Sequence, residues 1–135
     1  MRAIAALAFL LCAVAGSADA APNLMAATLR VSIDGITQAG GTLRVGLYDE
    51  ATYPAIPDAP LFKREIAKIA GDVAVTFERL PPGSYALRVL QDVNDDGKPE
   101  AGEPQGISNG AARADFDAAT IVLEPGINRA AVHLR

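Results

Sequence analysis

Short segments in which apolar and polar residues alternate limit the possible folds of this chain more than any other feature. Leu29, Val31 and Ile33 alternate with polar neighbours, and a period of two is typical of a half-buried strand. The same alternation recurs in residues 43–48, 73–78, 85–90 and 128–134. Turn signals separate these segments roughly every ten residues. The sequence therefore predicts an all-β fold, an antiparallel Greek-key-type β-sandwich of about seven strands.

Two less regular segments complete the strand count. Residues 61–70 fit either a short helix, with Phe62, Ile66 and Ile69 in one stripe, or a ragged strand. A strand is favoured because the surrounding segments are β, and residues 116–123 are assigned to a further strand. Residues 49–60 contain three prolines, which cannot donate to a strand ladder, so they are predicted to form an irregular loop.

The first twenty residues have the pattern of a secretory signal peptide. A basic residue, Arg2, precedes an apolar run that includes Cys12, and the segment ends in the small residues Ala18-Asp19-Ala20. We therefore expect cleavage after Ala20 and a periplasmic or secreted protein. Residues 21–28 are predicted to be a lead-in segment, and residues 29–135 a single β-sandwich domain.

Charge and hydropathy exclude some classes of partner. The net charge of −4 argues against nucleic acid, because phosphate binding requires clustered lysine and arginine. After the signal peptide, no apolar run approaches the length of a membrane span. We expect a monomer whose partner is an unidentified protein or glycan.

Residues 92–103 point most directly to chemistry, because oxygen-bearing residues recur there at the spacing of a calcium-binding loop. Such a loop takes ligands from positions 1, 3, 5, 7, 9 and 12, with glycine at position 6. The candidate ligands are Asp92, Asn94, Asp96, the Lys98 carbonyl, Glu100 and Glu103, and Gly97 occupies the turn position. The sequence predicts that calcium binds this loop.

The flanking residues exclude a standard helix–loop–helix hand. Gly102 weakens a helix at the end of the loop, and Pro104 favours extended geometry at Glu103. A strand leads into Asp92, so we expect a hand-like loop between strands. The alternative is a polar hairpin loop in which Asp92 and Asn94 only accept bonds from backbone N–H groups.

Three segments resemble an exported bacterial family known as domain of unknown function 2141. These are residues 80–89 (LPPGSYALRV), 91–98 (QDVNDDGK) and 103–109 (EPQGISN). The resemblance implies a transthyretin-like or carboxypeptidase-regulatory-like β-sandwich with no established activity. Family members usually carry histidine at the position of Gln91 and a longer insertion between the acidic loop and the Gly-x-Ser-Asn segment. Because this chain is shorter there, Glu103 is a conditional ligand. Ser108 and Asn109 match the family motif, and we interpret them as structural turn residues that bond the backbone.

The sequence offers few components of a catalytic site, so we do not expect an enzyme. His133 is assigned to a solvated strand position. Glu100 and Glu103 could form a glycosidase pair, but their place in the loop already has an explanation. Tyr53, in the proline-rich loop, is a possible ligand-surface residue. Two further hypotheses therefore remain, a calcium-shaped binding module for an extracellular glycan or protein and, less favoured, a hydrolase.

Overall fold

The computed structural model describes residues 25–53, 60–67, 69, 71–98, 100, 102–111 and 115–135. The predicted signal peptide and the first half of the lead-in segment lie outside the described residues. The strands are β1 (Ala27–Asp34), β2 (Thr42–Tyr48), β3 (Phe62–Ala67), β4 (Val73–Leu80), β5 (Gly83–Asp92), β6 (Gln105–Ile107), β7 (Ile121–Leu123) and β8 (Gly126–His133). A single-turn helix, α1 (Phe116–Ala119), precedes β7, and a 3₁₀ turn spans Ser108–Gly110.

The strands form two sheets. Sheet A has the order β4-β1-β8, and sheet B has the order β3-β2-β5-β6, with β7 also pairing with β5. Inward side chains of both sheets, such as Leu29 and Phe77 from sheet A and Val45 and Leu87 from sheet B, belong to one buried cluster. The all-β sandwich predicted from the alternation is therefore confirmed.

Burial follows the alternation along the strands that carry it. In β1 the residues Leu29, Val31 and Ile33 are buried while Arg30 and Ser32 are exposed. Each sheet can therefore bury one face against the other and leave its second face to solvent, which is the usual arrangement of antiparallel sandwiches.

Several details differ from the prediction. Eight strands are described, and β1 begins at Ala27, two residues before the predicted start of the domain. Strand β8 runs parallel to β1 over its full length, from the Ala27–Gly126 pair to the Asp34–His133 pair. Alternation reports which residues face inward but not strand direction, so the sequence could not distinguish parallel from antiparallel pairing here.

The ambiguous segment 61–70 contains strand β3, as favoured, whereas the strand predicted for 116–123 is wrong in its first half. There Asp115 accepts a hydrogen bond from the N–H of Ala118 and caps α1. Only three residues, Ile121–Leu123, then pair with β5. An N-cap aspartate competes effectively with strand formation over so short a segment.

Tyr53 does not provide a ligand surface, contrary to the prediction. Its side chain is 1% exposed and lies in a small apolar cluster with Tyr48, Phe116, Ala86 and Ala119. The ring centroids of Tyr53 and Tyr48 are 5.9 Å apart in an edge-to-face arrangement. Burying a large ring stabilises the fold more than exposing it on a loop, which explains its inward orientation.

Strand β5 is the element that positions the candidate site. It pairs with β2 along residues 86–92 and with β6 through residues 88–90. Within the part of the chain that the structure describes, no helix is long and apolar enough to cross a membrane.

Candidate metal site

The acidic loop connects β5 to β6, as predicted for an inter-strand loop. Leu90 pairs with Gln105, and the N–H of Gln91 donates to the carbonyl of Pro104 at 2.9 Å. The loop therefore leaves and re-enters the same antiparallel hairpin. Its first candidate ligand, Asp92, is the last residue of β5, so a regular ladder holds the base of the loop.

Asp92 is the buried centre of the loop, with a fully covered side chain. Its Oδ2 accepts hydrogen bonds from the N–H of Gly97 at 2.8 Å and from Nε of Arg44 at 3.0 Å. Among the described residues, its Oδ1 accepts the longer bond from the N–H of Asp96, at 3.3 Å. Because a carboxylate oxygen can accept more than one bond, Oδ1 keeps acceptor capacity on the loop side.

Three carboxylates converge within the loop. Oxygen atoms of Asp92, Asp96 and Glu103 all lie within 4.8 Å of one another. Hard divalent cations are bound by several carboxylate and carbonyl oxygens brought together in this way. The donor set of these three residues fits calcium, and it joins positions 1, 5 and 12 of the predicted loop.

Glu103 belongs to this cluster and also closes the loop. Its Oε2 accepts from the N–H of Val93 at 2.7 Å, and its Oε1 accepts from the N–H of Glu100 at 3.0 Å. One carboxylate therefore accepts hydrogen bonds from residues near both ends of the loop. The sequence left Glu103 conditional as a ligand, and the structure places its oxygens beside those of Asp92 and Asp96.

The remaining predicted ligands lie around this cluster without all pointing into it. The Nδ2 of Asn94 donates to Oε2 of Glu100 at 3.1 Å, and its Oδ1 accepts from the N–H of Asp96 at 3.3 Å. The N–H of Lys98 donates to Oδ1 of Asp96 at 2.8 Å. Ligation by Asn94, Glu100 and the Lys98 carbonyl remains a prediction.

Gly97 makes the turn expected at position 6. Its φ of +77° lies in the left-handed region that favours glycine. This conformation turns the chain so that the N–H of Gly97 points back to Asp92. The backbone of the loop therefore wraps around the first carboxylate.

Asp96 and Glu100 influence each other's protonation. The hydrogen bond with Glu100, followed by the N–H of Lys98, lowers the pKa of Asp96 below its ordinary value. The same hydrogen bond and the negative charge of Asp96 raise the pKa of Glu100. Glu100 therefore retains a proton more readily than an isolated glutamate, because two close carboxylates resist simultaneous ionisation.

Arg44 on β2 is the functional neighbour that the sequence prediction missed. In addition to its bond to Asp92, Arg44 contacts Oε1 of Glu65 on β3 through Nη1, at 2.6 Å. Burial lowers the pKa of Arg44, but the bonds and charges of Asp92 and Glu65 raise it overall. The side chain thus links the base of the loop to two neighbouring strands, and no local motif identifies it because it lies 48 residues from Asp92.

Gln91 is buried on the opposite side of β5 from Asp92. Its Nε2 donates to the carbonyls of Gln38 at 2.7 Å and Gly40 at 3.1 Å. These bonds anchor the β1–β2 connection beside the hairpin that carries the loop. Within the described part of the chain, its Oε1 has no hydrogen-bond partner.

Ser108 and Asn109 bond the backbone, as predicted. The hydroxyl of Ser108 donates to the carbonyl of Ala119 at 2.5 Å and accepts from the N–H of Leu87 at 3.0 Å. Asn109 donates to the carbonyls of Ala118 and Thr120 at 3.2 and 3.0 Å. Both side chains therefore attach α1 and its flanks to sheet B.

His133 lies on the exposed outer face of sheet A, as predicted, but it has a partner there. Its Nδ1 is 2.7 Å from Oδ1 of Asp34, and both side chains are about 60% exposed. The two residues are direct neighbours in the parallel β1–β8 pairing. A solvent-exposed pair of this kind contributes little to stability.

Comparisons with known proteins identify a family but not an activity. The family model described as "Uncharacterized protein conserved in bacteria (DUF2141)" matches residues 31–130. A search of curated proteins found no match. The chain is similar to a solved pilus-presented adhesin (Cpa) at 12% sequence identity with a TM-score of 0.29, over 81% of this chain but only 26% of the adhesin chain.

Proposed function

The chain belongs to this bacterial family of uncharacterized proteins, and we propose that it is an exported, non-catalytic β-sandwich domain that binds calcium in the β5–β6 loop. The observation that carries the proposal is the convergence of oxygens from Asp92, Asp96 and Glu103 within 4.8 Å. In the cell envelope, the ion would either stabilise the fold or shape a surface for interaction with a partner.

Electrostatics support a cation at this position. Like charges in close contact repel one another, and Arg44 neutralises only the strand side of Asp92. The pKa of Glu100 is raised, first by its hydrogen bond to Asp96 and then by the negative charge of Asp96. A divalent ion would take the place of the proton that Glu100 retains beside Asp96. It would relieve this repulsion and order the loop.

Calcium titration tests the proposal. We expect isothermal titration calorimetry of the purified protein, first treated with chelator, to give one saturable calcium site. Calcium at a hundred times its Kd should add about 2.7 kcal/mol to the free energy of unfolding and raise Tm accordingly. Magnesium should act more weakly, because it demands near-ideal octahedral geometry and gives up its bound water reluctantly. The same Tm in calcium and in chelator would contradict the proposal.

Export rests on the signal-peptide pattern of residues 1–20. Expression of the full chain in a Gram-negative host, followed by fractionation and N-terminal sequencing, tests it. We expect a periplasmic or secreted product that begins at Ala21. A product that keeps Met1 and stays in the cytoplasm would contradict export.

A second candidate is a binding module for an extracellular glycan or protein, in which calcium only shapes the loop. It is favoured by the position of Gly97, which lines the same surface groove as residues of β2, β3 and β5. Glycan-array or pull-down experiments with and without calcium test this candidate. Capture that requires calcium and depends on Asp96 would support it over a purely structural role.

A further inference from the structure

The outer face of sheet B carries a groove of about 240 Å³ beside the acidic loop. Four of its lining residues are basic, namely Arg44, Lys63, Arg64 and Arg88, whereas Glu65 is its one acidic lining residue among those described. The chain as a whole has a net charge of −4. The groove is therefore a local region of positive charge on an acidic protein.

Two of these four cations are already engaged. Arg44 is ion-paired with Asp92 and Glu65. The guanidinium of Arg64 lies 5.0 Å from the centre of the Phe77 ring and donates to the carbonyl of Lys63. Neither Arg44 nor Arg64 therefore presents an unopposed charge to a ligand in the groove.

Lys63 and Arg88 remain available. Over the residues that the structure describes, neither side chain has a carboxylate within 4.0 Å or a hydrogen-bond acceptor in reach. Arg88 stacks over the ring of Tyr48, with its guanidinium carbon 5.7 Å from the ring centre. A cation–π contact of this kind is not a hydrogen bond, so the N–H groups of the guanidinium can still donate to a ligand.

Strand register brings these two side chains to opposite sides of the groove. Gly46 on β2 pairs with Lys63 on β3 and with Arg88 on β5, so the three residues form one row across the sheet. Directly paired residues project from the same face. With about 4.8 Å between strands, the Cα atoms of Lys63 and Arg88 are about 10 Å apart, which two long side chains can span around one anion.

Gly46 lies at the centre of this row, in direct contact with Tyr48 and Pro60. A Cβ there would lie 2.8 Å from Cε2 of Tyr48 and 3.1 Å from Cβ of Pro60. Atoms of Tyr48 and Pro60 therefore cover the glycine, and the Tyr48 ring also contacts the guanidinium of Arg88. The row thus has a cation at each side of an apolar centre.

We propose that this groove binds the phosphate group of a small phosphate monoester between Lys63 and Arg88. Two cations match the dianionic charge of a phosphate better than the single charge of a carboxylate, and arginine and lysine are both common phosphate donors. The groove is smaller than the roughly 300–1,000 Å³ typical of drug-sized ligands, so it suits one phosphorylated unit. Lys63 and Arg88 lie outside the acidic loop, so this inference does not require bound calcium.

The test is an NMR titration of the ¹⁵N-labelled protein in chelator at constant ionic strength, with glucose 6-phosphate, inorganic phosphate, glucose and sodium chloride as separate probes. We expect saturable shifts of the amides of Gly46, Lys63 and Arg88 with both phosphates but not with glucose or chloride. Shifts with inorganic phosphate but none with the ester would overturn the proposal.

Variants locate the site. The double variant Lys63→Gln/Arg88→Gln should weaken glucose 6-phosphate binding by about tenfold or more. Lys63→Gln alone leaves the Arg88–Tyr48 stack intact and should still weaken binding several-fold. The matched control is Arg30→Gln/Arg129→Gln, because Arg30 and Arg129 are paired neighbours on the outer face of sheet A, outside the groove. Equal weakening by the control, or no weakening by Lys63→Gln, would overturn the proposal. Calcium binding measured separately on the same samples distinguishes failure of the groove from failure of the loop.

Discussion

Nε of Arg44 donates to the buried Oδ2 of Asp92 at 3.0 Å, at the point where β5 ends and the acidic loop begins. The same oxygen accepts the N–H of Gly97, so one carboxylate joins a β2 cation to the loop turn. This contact holds the first candidate ligand in place before any metal arrives. It also places a positive charge next to the proposed calcium position.

Replacing Arg44 should therefore have opposite effects on the metal-free and calcium-bound protein. In Arg44→Gln, the buried Asp92 loses its charge partner, and we expect the free energy of unfolding in chelator to fall by about 1–3 kcal/mol. Calcium should bind more tightly than in the wild type, because a repelling cation has been removed. Urea denaturation and calcium titration measure the two effects. Arg30→Gln, on the exposed outer face of sheet A, is the control, and weaker calcium binding in Arg44→Gln would contradict this account.

Asp96 and its neighbour Asp95 allow a matched comparison of a candidate ligand with an adjacent acidic residue that is not one. Asp96 belongs to the converging cluster, whereas Asp95 accepts a hydrogen bond from Thr42 and is not a predicted ligand. Asp96→Asn should weaken calcium binding by about tenfold or more, because the ion loses a charged ligand. Asp95→Asn should change calcium affinity little, and asparagine tolerates the positive φ at that position. Calorimetry compares the two, and an equal loss in both would indicate a general effect of loop charge.

Glu103 should affect both loop closure and metal binding. Its two oxygens accept the N–H groups of Val93 and Glu100. In Glu103→Gln, the side-chain NH₂ group would face one of these two N–H groups, and two donors cannot bond each other. We therefore expect about 1 kcal/mol lower stability in chelator. Calcium affinity should also fall, since one clustered carboxylate is lost. An unchanged calcium affinity with lower stability would show that Glu103 only closes the loop, and Glu78→Gln on the exposed side of β4 serves as a control.

Calcium affinity should decrease in acid. The pKa of Glu100 is raised above 4.5, first by its hydrogen bond to Asp96, so protons compete with calcium at a higher pH than for an isolated glutamate. In chelator, Glu100 contributes stability at pH values below its ordinary pKa, and this contribution is lost as pH rises through its raised folded-state pKa. Asp96, whose pKa is lowered, contributes stability at pH values above 3.8, and this contribution is lost as pH falls through its folded-state pKa. Titrations near pH 7 and about pH 5 test the prediction, and Glu100→Gln should reduce the difference between them.

Ser108 should contribute to stability without affecting the metal site. Its buried hydroxyl bonds the N–H of Leu87 and the carbonyl of Ala119. Ser108→Ala leaves both backbone groups without this partner, so we expect a loss of about 2–3 kcal/mol in the free energy of unfolding. Ser84→Ala, at an exposed position of β5, the strand that carries Leu87, should cost less than about 0.5 kcal/mol. Urea denaturation measures both, and equal losses would contradict the role assigned to Ser108.

Local patterns identified most of the strands and the acidic loop. The alternation at Leu29, Val31 and Ile33 marks the inward face of β1, because side-chain direction in a strand has a period of two. The same rule failed at residues 116–119, where one hydrogen bond to Asp115 stabilises a helical turn instead. Tyr53 was also misplaced, since its burial depends on contact with Phe116, which is distant in the chain.

The sequence by itself determined the all-β class, the strand that enters the loop and the spacing of Asp92, Asp96 and Glu103, because each depends on residues close together in the chain. Only the tertiary structure decided the parallel pairing of β1 with β8, the contact of Arg44 with Asp92 and the row formed by Lys63, Gly46 and Arg88. These features depend on the register between strands that are distant in sequence. Register is set by how both sheets bury their apolar faces together, which no single segment specifies.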